Sequence, residues 1–138
     1  MEIVYSHSTK IRVRYSETDQ MGYCYYGNYA QYFEIGRVEA LRHLNISYKE
    51  MEKDGIMLPV SDFQVNYKKP ALYDDELVIT THISSLEGCR LTFNYEIKNE
   101  ENQIITTAST VLVFVSKETM KPISPPNNII NLLNKHEK

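Results

Sequence analysis

One long helical pattern followed by a series of alternating segments is the sequence feature that most restricts the fold of this chain. The helix is predicted to begin at residue 26 or 28 and to end near residue 44. Its apolar residues recur at helical spacing and form one broad face: Tyr29, Tyr32, Phe33, Ala40, Leu41 and Leu44. Gly36 lies inside this helix at a cost of about 1 kcal/mol relative to alanine, which predicts a close approach to a sheet.

Five strands are predicted on either side of this helix. One precedes it at 8–15, and alternation of apolar and polar side chains predicts four more at 63–67, 77–83, 91–97 and 104–115. Short helices are predicted at 47–53 and 127–134. The last strand is apolar on both faces near Val115, so it needs cover on each side. The helix is expected to cover one face, and a second subunit the other.

This order of elements predicts an α+β fold, in which an antiparallel β-sheet is wrapped around one long central α-helix. A length of 138 residues fits a single domain, 1–138. The small net charge of −3 argues against a nucleic-acid-binding protein. No stretch is long and apolar enough for membrane insertion, and the N-terminus lacks the apolar region of a secretory signal. The two cysteines have no C-x-x-C spacing, so a reducing cytoplasm is the expected compartment, without a zinc site.

The residues best suited to chemistry lie between the first strand and the helix. Asp19 sits in a polar turn, and a helix starts a few residues later. Free N–H groups at a helix start can stabilise a developing oxyanion, and a carboxylate beside them can act as general base or nucleophile. On local chemistry alone, however, Asp19 is more often an Asx-turn or cap residue. Glu17 is expected to be a solvated charge, and Asn28 an N-cap.

Three other features receive structural interpretations. Cys24 lies close to Asp19, but an ordinary thiol is mostly protonated at neutral pH, so a packing role is expected. Arg37 follows Glu34 at a spacing that favours an ion pair on the helix surface. The four histidines are scattered and do not suggest a metal site.

A longer motif points to a family. The run Tyr15-x-Glu17-Thr18-Asp19-x-x-Gly22-x-x-Tyr25-x-x-Asn28-Tyr29-x-x-Tyr32-Phe33-Glu34-x-Gly36-Arg37 closely resembles the signature of the 4-hydroxybenzoyl-CoA thioesterase branch of the hotdog superfamily. That branch includes the Tol-Pal-associated and related short acyl-CoA thioesterases. The similarity continues through Tyr67-Lys68-Lys69-Pro70, Asp74-Asp75-Glu76-Leu77 and Phe114-Val115-x-x-x-Thr119-x-Lys121-Pro122, and it covers nearly the whole chain.

The resemblance implies a hotdog fold and an acyl-CoA thioesterase, a hydrolase that converts an acyl-CoA thioester to free acid and CoA. CoA is then part of the substrate, and no separate cofactor is expected. The resemblance also implies a homodimer with a continuous sheet, often paired into a homotetramer, with active sites at the subunit interface.

Site residues are also implied by the resemblance. The family's catalytic aspartate corresponds to Asp19, and the backbone N–H that polarises the thioester carbonyl lies near Tyr26. Many relatives have a histidine at the position of Tyr26. The Tyr26 side chain could supply a phenol O–H or line the acyl pocket, and the lining role is favoured. Further substrate contacts are expected from the helix start and from basic residues at strand ends, which would meet the phosphates of CoA: Gly27, Asn28, Lys68, Lys69, Arg90 and Lys121. Arg90 is the favoured phosphate ligand, because it begins a strand just after Gly88.

Two other functions stay open at this point. The chain could be an acyl-carrier-protein thioesterase, which shares the chemistry, or a non-catalytic protein that binds acyl thioesters. The carboxylate at Asp19 argues against the binding protein, which would not need it. The sequence leaves undetermined the acyl group, the choice between dimer and tetramer, and whether Asp19 acts as base or nucleophile.

Overall fold

A computed structural model describes residues 1–138 as an antiparallel sheet with one long helix packed against it. The strands are β1 (Glu2–Arg12), β2 (Ile56–Met57), β3 (Val60–Tyr67), β4 (Glu76–Glu87), β5 (Arg90–Lys98), β6 (Ile104–Val113) and β7 (Val115–Ser116). The helices are α1 (Tyr29–His43), α2 (Tyr48–Lys53) and α3 (Asn127–Asn134), with single 3₁₀ turns at Tyr15–Glu17 and Tyr26–Asn28. The main sheet has the order β1-β4-β5-β6-β3, and β2 pairs with β7 separately. The predicted α+β layout is confirmed.

The long helix α1 lies where its apolar periodicity predicts. All six residues of the predicted apolar face are buried. Gly36 faces β4, where a Cβ would come within 2.5 Å of Thr81 Oγ1, so the predicted close approach is confirmed. Asn45 ends the helix with a positive φ of 64°, and Ser47 caps α2 by accepting a hydrogen bond from the Glu50 N–H at 3.3 Å. None of the helices has the length and apolar character that crossing a membrane requires.

The first strand differs from its prediction at both ends. It begins at Glu2 rather than Ser8 and ends at Arg12 rather than Tyr15. Its outward-facing residues form polar pairs with β4, including Ser8 Oγ to Thr80 Oγ1 at 2.9 Å. Such pairs stabilise a strand without any apolar alternation, so the hydrophobic pattern misses them.

The last predicted strand is divided between two sheets. β6 ends at Val113, and Val115 belongs to β7, where it pairs with Met57 of β2. Val115 is therefore buried within its own chain, at 5% exposure. The expectation that a second subunit covers this residue is wrong, because the chain crosses between sheets at this point.

Arg37 does not form the predicted surface ion pair with Glu34. Glu34 is exposed, whereas Arg37 is buried, and no salt bridge joins them. The Arg37 guanidinium packs towards Tyr48 and Tyr95, which raise the pKa of Arg37 against the opposing effect of burial. Sequence spacing identified a possible partner, but the rotation of the helix against the sheet directs Arg37 away from it.

Candidate active site

A cavity of about 340 Å³ lies between the turn after β1, the start of α1 and the end of β3. It brings together Asp19, Tyr26, Lys68 and Lys69, four of the residues selected from the sequence. The remaining lining residues are Met21, Tyr23, Cys24, Tyr29, Tyr67 and Pro70. A carboxylate, a helix start and two ammonium groups therefore surround one concave, tyrosine-rich surface.

Asp19 is held in a tight turn by one of its two carboxylate oxygens. Oδ1 accepts hydrogen bonds from the backbone N–H of Met21 at 2.9 Å and of Tyr23 at 3.4 Å. Gly22 closes the turn at a φ of +80°, which a residue with a Cβ rarely adopts. Oδ2 makes no hydrogen bond within the chain. Asp19 is thus the Asx-turn residue that local chemistry suggests, and it also has a free oxygen at the cavity.

The 3₁₀ turn Tyr26–Asn28 leads directly into α1, and its first two N–H groups have no acceptor. Neither Tyr26 nor Gly27 donates a backbone hydrogen bond within the chain. The Tyr67 hydroxyl donates to the Tyr26 carbonyl oxygen at 3.2 Å and joins this turn to the end of β3. The arrangement leaves donors at a helix start, where a developing negative charge is stabilised.

The side chain of Asn28 does not cap α1. Its Nδ2 donates to the Glu17 carbonyl oxygen at 2.8 Å, and it makes no side-chain cap hydrogen bond. Gly27 packs under the ring of Tyr25, where a Cβ would come within 2.6 Å of a ring carbon. Asn28 stands at the N-cap position of α1, as predicted, but its side chain contacts the Glu17 carbonyl instead of capping the helix.

Glu17 is buried at 8% exposure and is not the solvated neighbour that the sequence suggests. Its Oε1 accepts from the Arg14 backbone N–H and from the Tyr32 hydroxyl, each at 2.9 Å. Tyr32 is an apolar-face position of α1, so the sequence pattern assigned it to the core alone. Nothing in the local sequence pairs these two residues, and only the packing of α1 against the turn does so.

Two of the lining residues with ionisable side chains, Cys24 and Tyr29, are neutral at physiological pH. Burial raises the pKa of the Cys24 thiol, which therefore stays protonated and unsuited to nucleophilic attack. Burial likewise raises the pKa of Tyr29 to about 12. The expected packing role of Cys24 agrees with its burial and with its contact to the Tyr32 hydroxyl at 3.3 Å.

The basic residues separate into two groups. Lys68 and Lys69 follow β3 directly and line the cavity. Arg90 lies at the opposite end of the sheet. The strand register places Tyr67, at the end of β3, beside Thr106 of β6, and Thr106 pairs in turn with Ile97 of β5. Arg90 is at the other end of β5, where it pairs with Val113. The separation along β5 is roughly 23 Å at the ordinary rise of a strand. Arg90 can therefore serve only a site that involves another subunit.

Comparison with known proteins identifies relatives over most of the chain. Residues 21–106 match the family described as the thioesterase superfamily. The chain is 39% identical over 114 residues to YneP of Bacillus subtilis, covering 83% of each sequence. It is 35% identical over 120 residues to the acyl-CoA thioester hydrolase YbgC of Escherichia coli, covering 87% of this chain and 90% of that protein. The solved DHNA-CoA thioesterase from Staphylococcus aureus superposes with a TM-score of 0.91 at 38% identity, over 94% of this chain and 89% of that one.

Proposed function

This chain belongs to the thioesterase superfamily and has its hotdog fold, and we propose that it hydrolyses acyl-CoA thioesters to free acid and CoA. The observation that carries the proposal is the convergence of Asp19, Tyr26 and two lysines on one cavity. The name of the Escherichia coli relative, an acyl-CoA thioester hydrolase, supports the same reaction.

In the proposed reaction the thioester carbonyl lies between Asp19 and the start of α1. The free N–H of Tyr26 donates to the carbonyl oxygen as it becomes negative, and the adjacent Gly27 N–H is a second available donor. Acting as general base, Asp19 Oδ2 takes a proton from water while the water oxygen attacks the carbonyl carbon. The C–S bond then breaks, and the proton passes from Asp19 to the CoA sulfur.

A nucleophilic route uses the same atoms. Asp19 Oδ2 attacks the carbonyl carbon, CoA leaves as a thiolate, and water hydrolyses the resulting anhydride. Both routes consume only the thioester and one water, so neither requires a cofactor. They differ in where the oxygen of water enters the products.

The two lysines fit the charged part of CoA. Lys68 and Lys69 stand at one side of the cavity, where ammonium groups would meet phosphate oxygens. The cavity is also lined by tyrosine rings in edge contact, with Tyr29 and Tyr67 centroids 5.1 Å apart. Edge-to-face geometry of this kind suits an added aromatic or small apolar group. The cavity volume is at the lower end of the range for ligand sites, which favours a small acyl group over a long chain.

We further propose that the active unit is a dimer formed along β3. The edge of β1 is partly covered by the C-terminal segment, because Val4 donates to the His136 carbonyl and Lys138 to that of Glu2. The β3 edge has no such cover, and Val60, Phe63 and Tyr67 are exposed along it. A free apolar edge invites pairing with a second copy. Because Tyr67 also lines the cavity, this pairing would place the site at the interface.

The function is tested by measuring thiol release from a panel of acetyl-, benzoyl- and palmitoyl-CoA, with the same acyl groups on acyl carrier protein and on pantetheine. We expect turnover of the small and aromatic CoA esters, with lower kcat/KM on the carrier-protein forms. Faster turnover of the carrier-protein esters would support the acyl-carrier-protein alternative. Saturable binding of an ester recovered uncleaved would instead indicate a binding protein.

A further inference from the structure

Glu17 is a carboxylate with an unusually complete set of partners for a residue in a surface turn. Its Oε1 accepts from the Arg14 N–H and the Tyr32 hydroxyl, and its Oε2 lies 3.3 Å from Arg14 Nη2. The carboxylate therefore connects the segment that follows β1 to the first turn of α1. None of these partners belongs to the cavity lining.

The backbone of Glu17 is attached to the start of the helix by a second set of bonds. Its carbonyl oxygen accepts from the backbone N–H of Tyr25 and from Asn28 Nδ2, both at 2.8 Å. Tyr25 directly precedes Tyr26, whose N–H is free, and Asp19 follows Glu17 by two residues. The Asp19 carboxylate and the Tyr26 N–H, the two groups proposed to act on the thioester, thus each lie within two residues of Glu17 or of a residue hydrogen-bonded to it.

The protonation states of Glu17 and Tyr32 favour the hydrogen bond between them. Burial alone would raise the pKa of Glu17, but hydrogen bonds from the Arg14 backbone, Tyr32 and the Arg14 guanidinium outweigh it and lower that pKa. Burial raises the pKa of Tyr32, and its bonds to Cys24 and Glu17 raise it further. At neutral pH an ionised acceptor therefore meets a protonated donor. A charged hydrogen bond of this kind is stronger than a neutral one.

We infer that Glu17 is a positioning residue for the proposed thioesterase reaction: through Tyr32 and Arg14 it holds the Asp19 turn in register with the Tyr26 N–H. The inference rests on the proposed function. Asp19 is oriented by its own tight turn and by the backbone bonds between Glu17 and the helix start, and the next rigid element is the body of α1. The Glu17–Tyr32 bond joins the two. A displacement of about 1 Å between reacting groups can lower a rate by about a hundredfold, so loss of the Glu17–Tyr32 bond should lower kcat.

Glutamine cannot replace Glu17 in this arrangement. Its amide oxygen could keep the Arg14 N–H and Tyr32 bonds, but its NH₂ would then face the Arg14 guanidinium, which has only donors. The reverse orientation satisfies the guanidinium and turns the NH₂ towards the Arg14 N–H. Tyr32→Phe, in contrast, removes only the bond to α1 and leaves the carboxylate ionised.

The test compares Glu17→Gln, Tyr32→Phe and the double variant at saturating acyl-CoA, with Glu34→Gln as the control for an exposed carboxylate on the same helix. In each single variant kcat should fall by about tenfold or more, while KM stays within about twofold of the parent value. The acid limb of the kcat–pH profile should keep its midpoint. Because both changes act on the Glu17–Tyr32 bond, whose charge Glu17→Gln removes and which Tyr32→Phe eliminates, the double variant should be no worse than about the poorer single variant. Glu34→Gln should match the parent protein.

Two results would overturn the inference while leaving the proposed function intact. Lower thermal stability with full kcat in both single variants would make the Glu17–Tyr32 bond purely structural. A displaced or missing acid limb in Glu17→Gln would make Glu17 the proton-transferring group itself. Tyr32→Phe keeps the test decisive if Glu17→Gln does not fold. Failure of the parent protein to cleave any thioester would contradict the proposed function, and the inference with it.

Discussion

Gly36 on α1 lies so close to β4 that a Cβ at this position would be 2.5 Å from Thr81 Oγ1 and 2.9 Å from Ile79 Cγ2. Gly36→Ala gains about 1 kcal/mol in helix propensity, but overpacking a core costs about 1–3 kcal/mol. We therefore expect a net loss of about 1 kcal/mol in the free energy of unfolding, measured by urea denaturation. Gln31→Ala, at an exposed position of the same helix, is the matched control and should be neutral or slightly stabilising. Equal stability of the two variants would show that the helix can move away from the sheet.

Asp19→Asn separates the catalytic role of Asp19 from its role in the turn. Asparagine keeps the Oδ1 acceptor for Met21 and Tyr23 but is a poor base and nucleophile. We expect a loss in kcat of about a hundredfold or more with stability preserved, from thiol-release assays and thermal melting. Asp54→Asn, an exposed aspartate at the end of α2, should keep full activity. If Asp19 were only a turn residue, Asp19→Asn would stay active.

Lys68 and Lys69 are expected to bind the phosphates of CoA. Replacing both with alanine should raise KM for acyl-CoA roughly tenfold and change kcat little, since the phosphates are remote from the reacting carbon. The effect should disappear for an acyl-pantetheine substrate, which lacks the nucleotide phosphates. An equal rise in KM on both substrates would indicate a disturbed cavity.

Arg90 tests whether the site extends into another subunit. Its own cavity is at the other end of the sheet, so Arg90→Ala can raise KM for acyl-CoA only through a neighbouring chain. We expect a rise in KM for acyl-CoA but not for acyl-pantetheine, in steady-state kinetics. Unchanged KM on both substrates would remove Arg90 from the site.

The exposed edge of β3 should determine the oligomeric state. Phe63→Lys places a charge at the centre of this edge and should convert a dimer or tetramer to a monomer at micromolar concentration, as measured by sedimentation. Val4→Lys makes the same change on β1 at the other edge, where the C-terminal segment provides cover, and should not alter the mass. Sedimentation of the parent chain as a monomer would contradict the proposal.

His7 should make stability depend on pH. Burial lowers the pKa of His7, and His43, with its ring centroid 4.1 Å away, lowers it further, while Glu39 partly opposes both. The unfolded chain therefore takes up a proton at a higher pH than the folded chain. The stability from a neutral His7 is complete above about pH 6.5 and is lost as the pH falls through the lowered folded value. The drop in urea midpoint from about pH 7.5 to about pH 5 should be smaller in His7→Gln than in His82→Gln.

The local pattern predicted most of the elements because periodicity reports directly which face of an element is apolar. α1 is correct in extent and face. β1 was placed too late, since its outward positions are occupied by hydroxyls that pair with β4. The strand at 104–115 was predicted as one element, because hydropathy does not register the point where a chain changes sheets.

The predictions for the candidate site likewise divide into those that the sequence motif supports and those that depend on tertiary contacts. Its motif identified Asp19, Tyr26, Lys68 and Lys69, and the structure places all four around one cavity. Glu17, Asn28 and Arg37 were each assigned a solvent-exposed or capping role that fits their neighbours in sequence. Each instead contacts at least one residue eleven or more positions away, which its neighbours in sequence do not indicate.

The sequence by itself therefore determined the fold class, the family resemblance and the residues proposed to carry the chemistry, because these depend on residue type and spacing along one element. Only the tertiary structure decided which carboxylate is buried and which is free. Glu17 and Asp19 stand two residues apart in the same polar turn, and nothing in that turn distinguishes them. The packing of Tyr32 against Glu17 distinguishes them, because a buried carboxylate is stable as an anion only where hydrogen-bond donors surround it. Arg14 supplies donors from the same turn, but the Tyr32 hydroxyl reaches Glu17 only once α1 has packed against that turn.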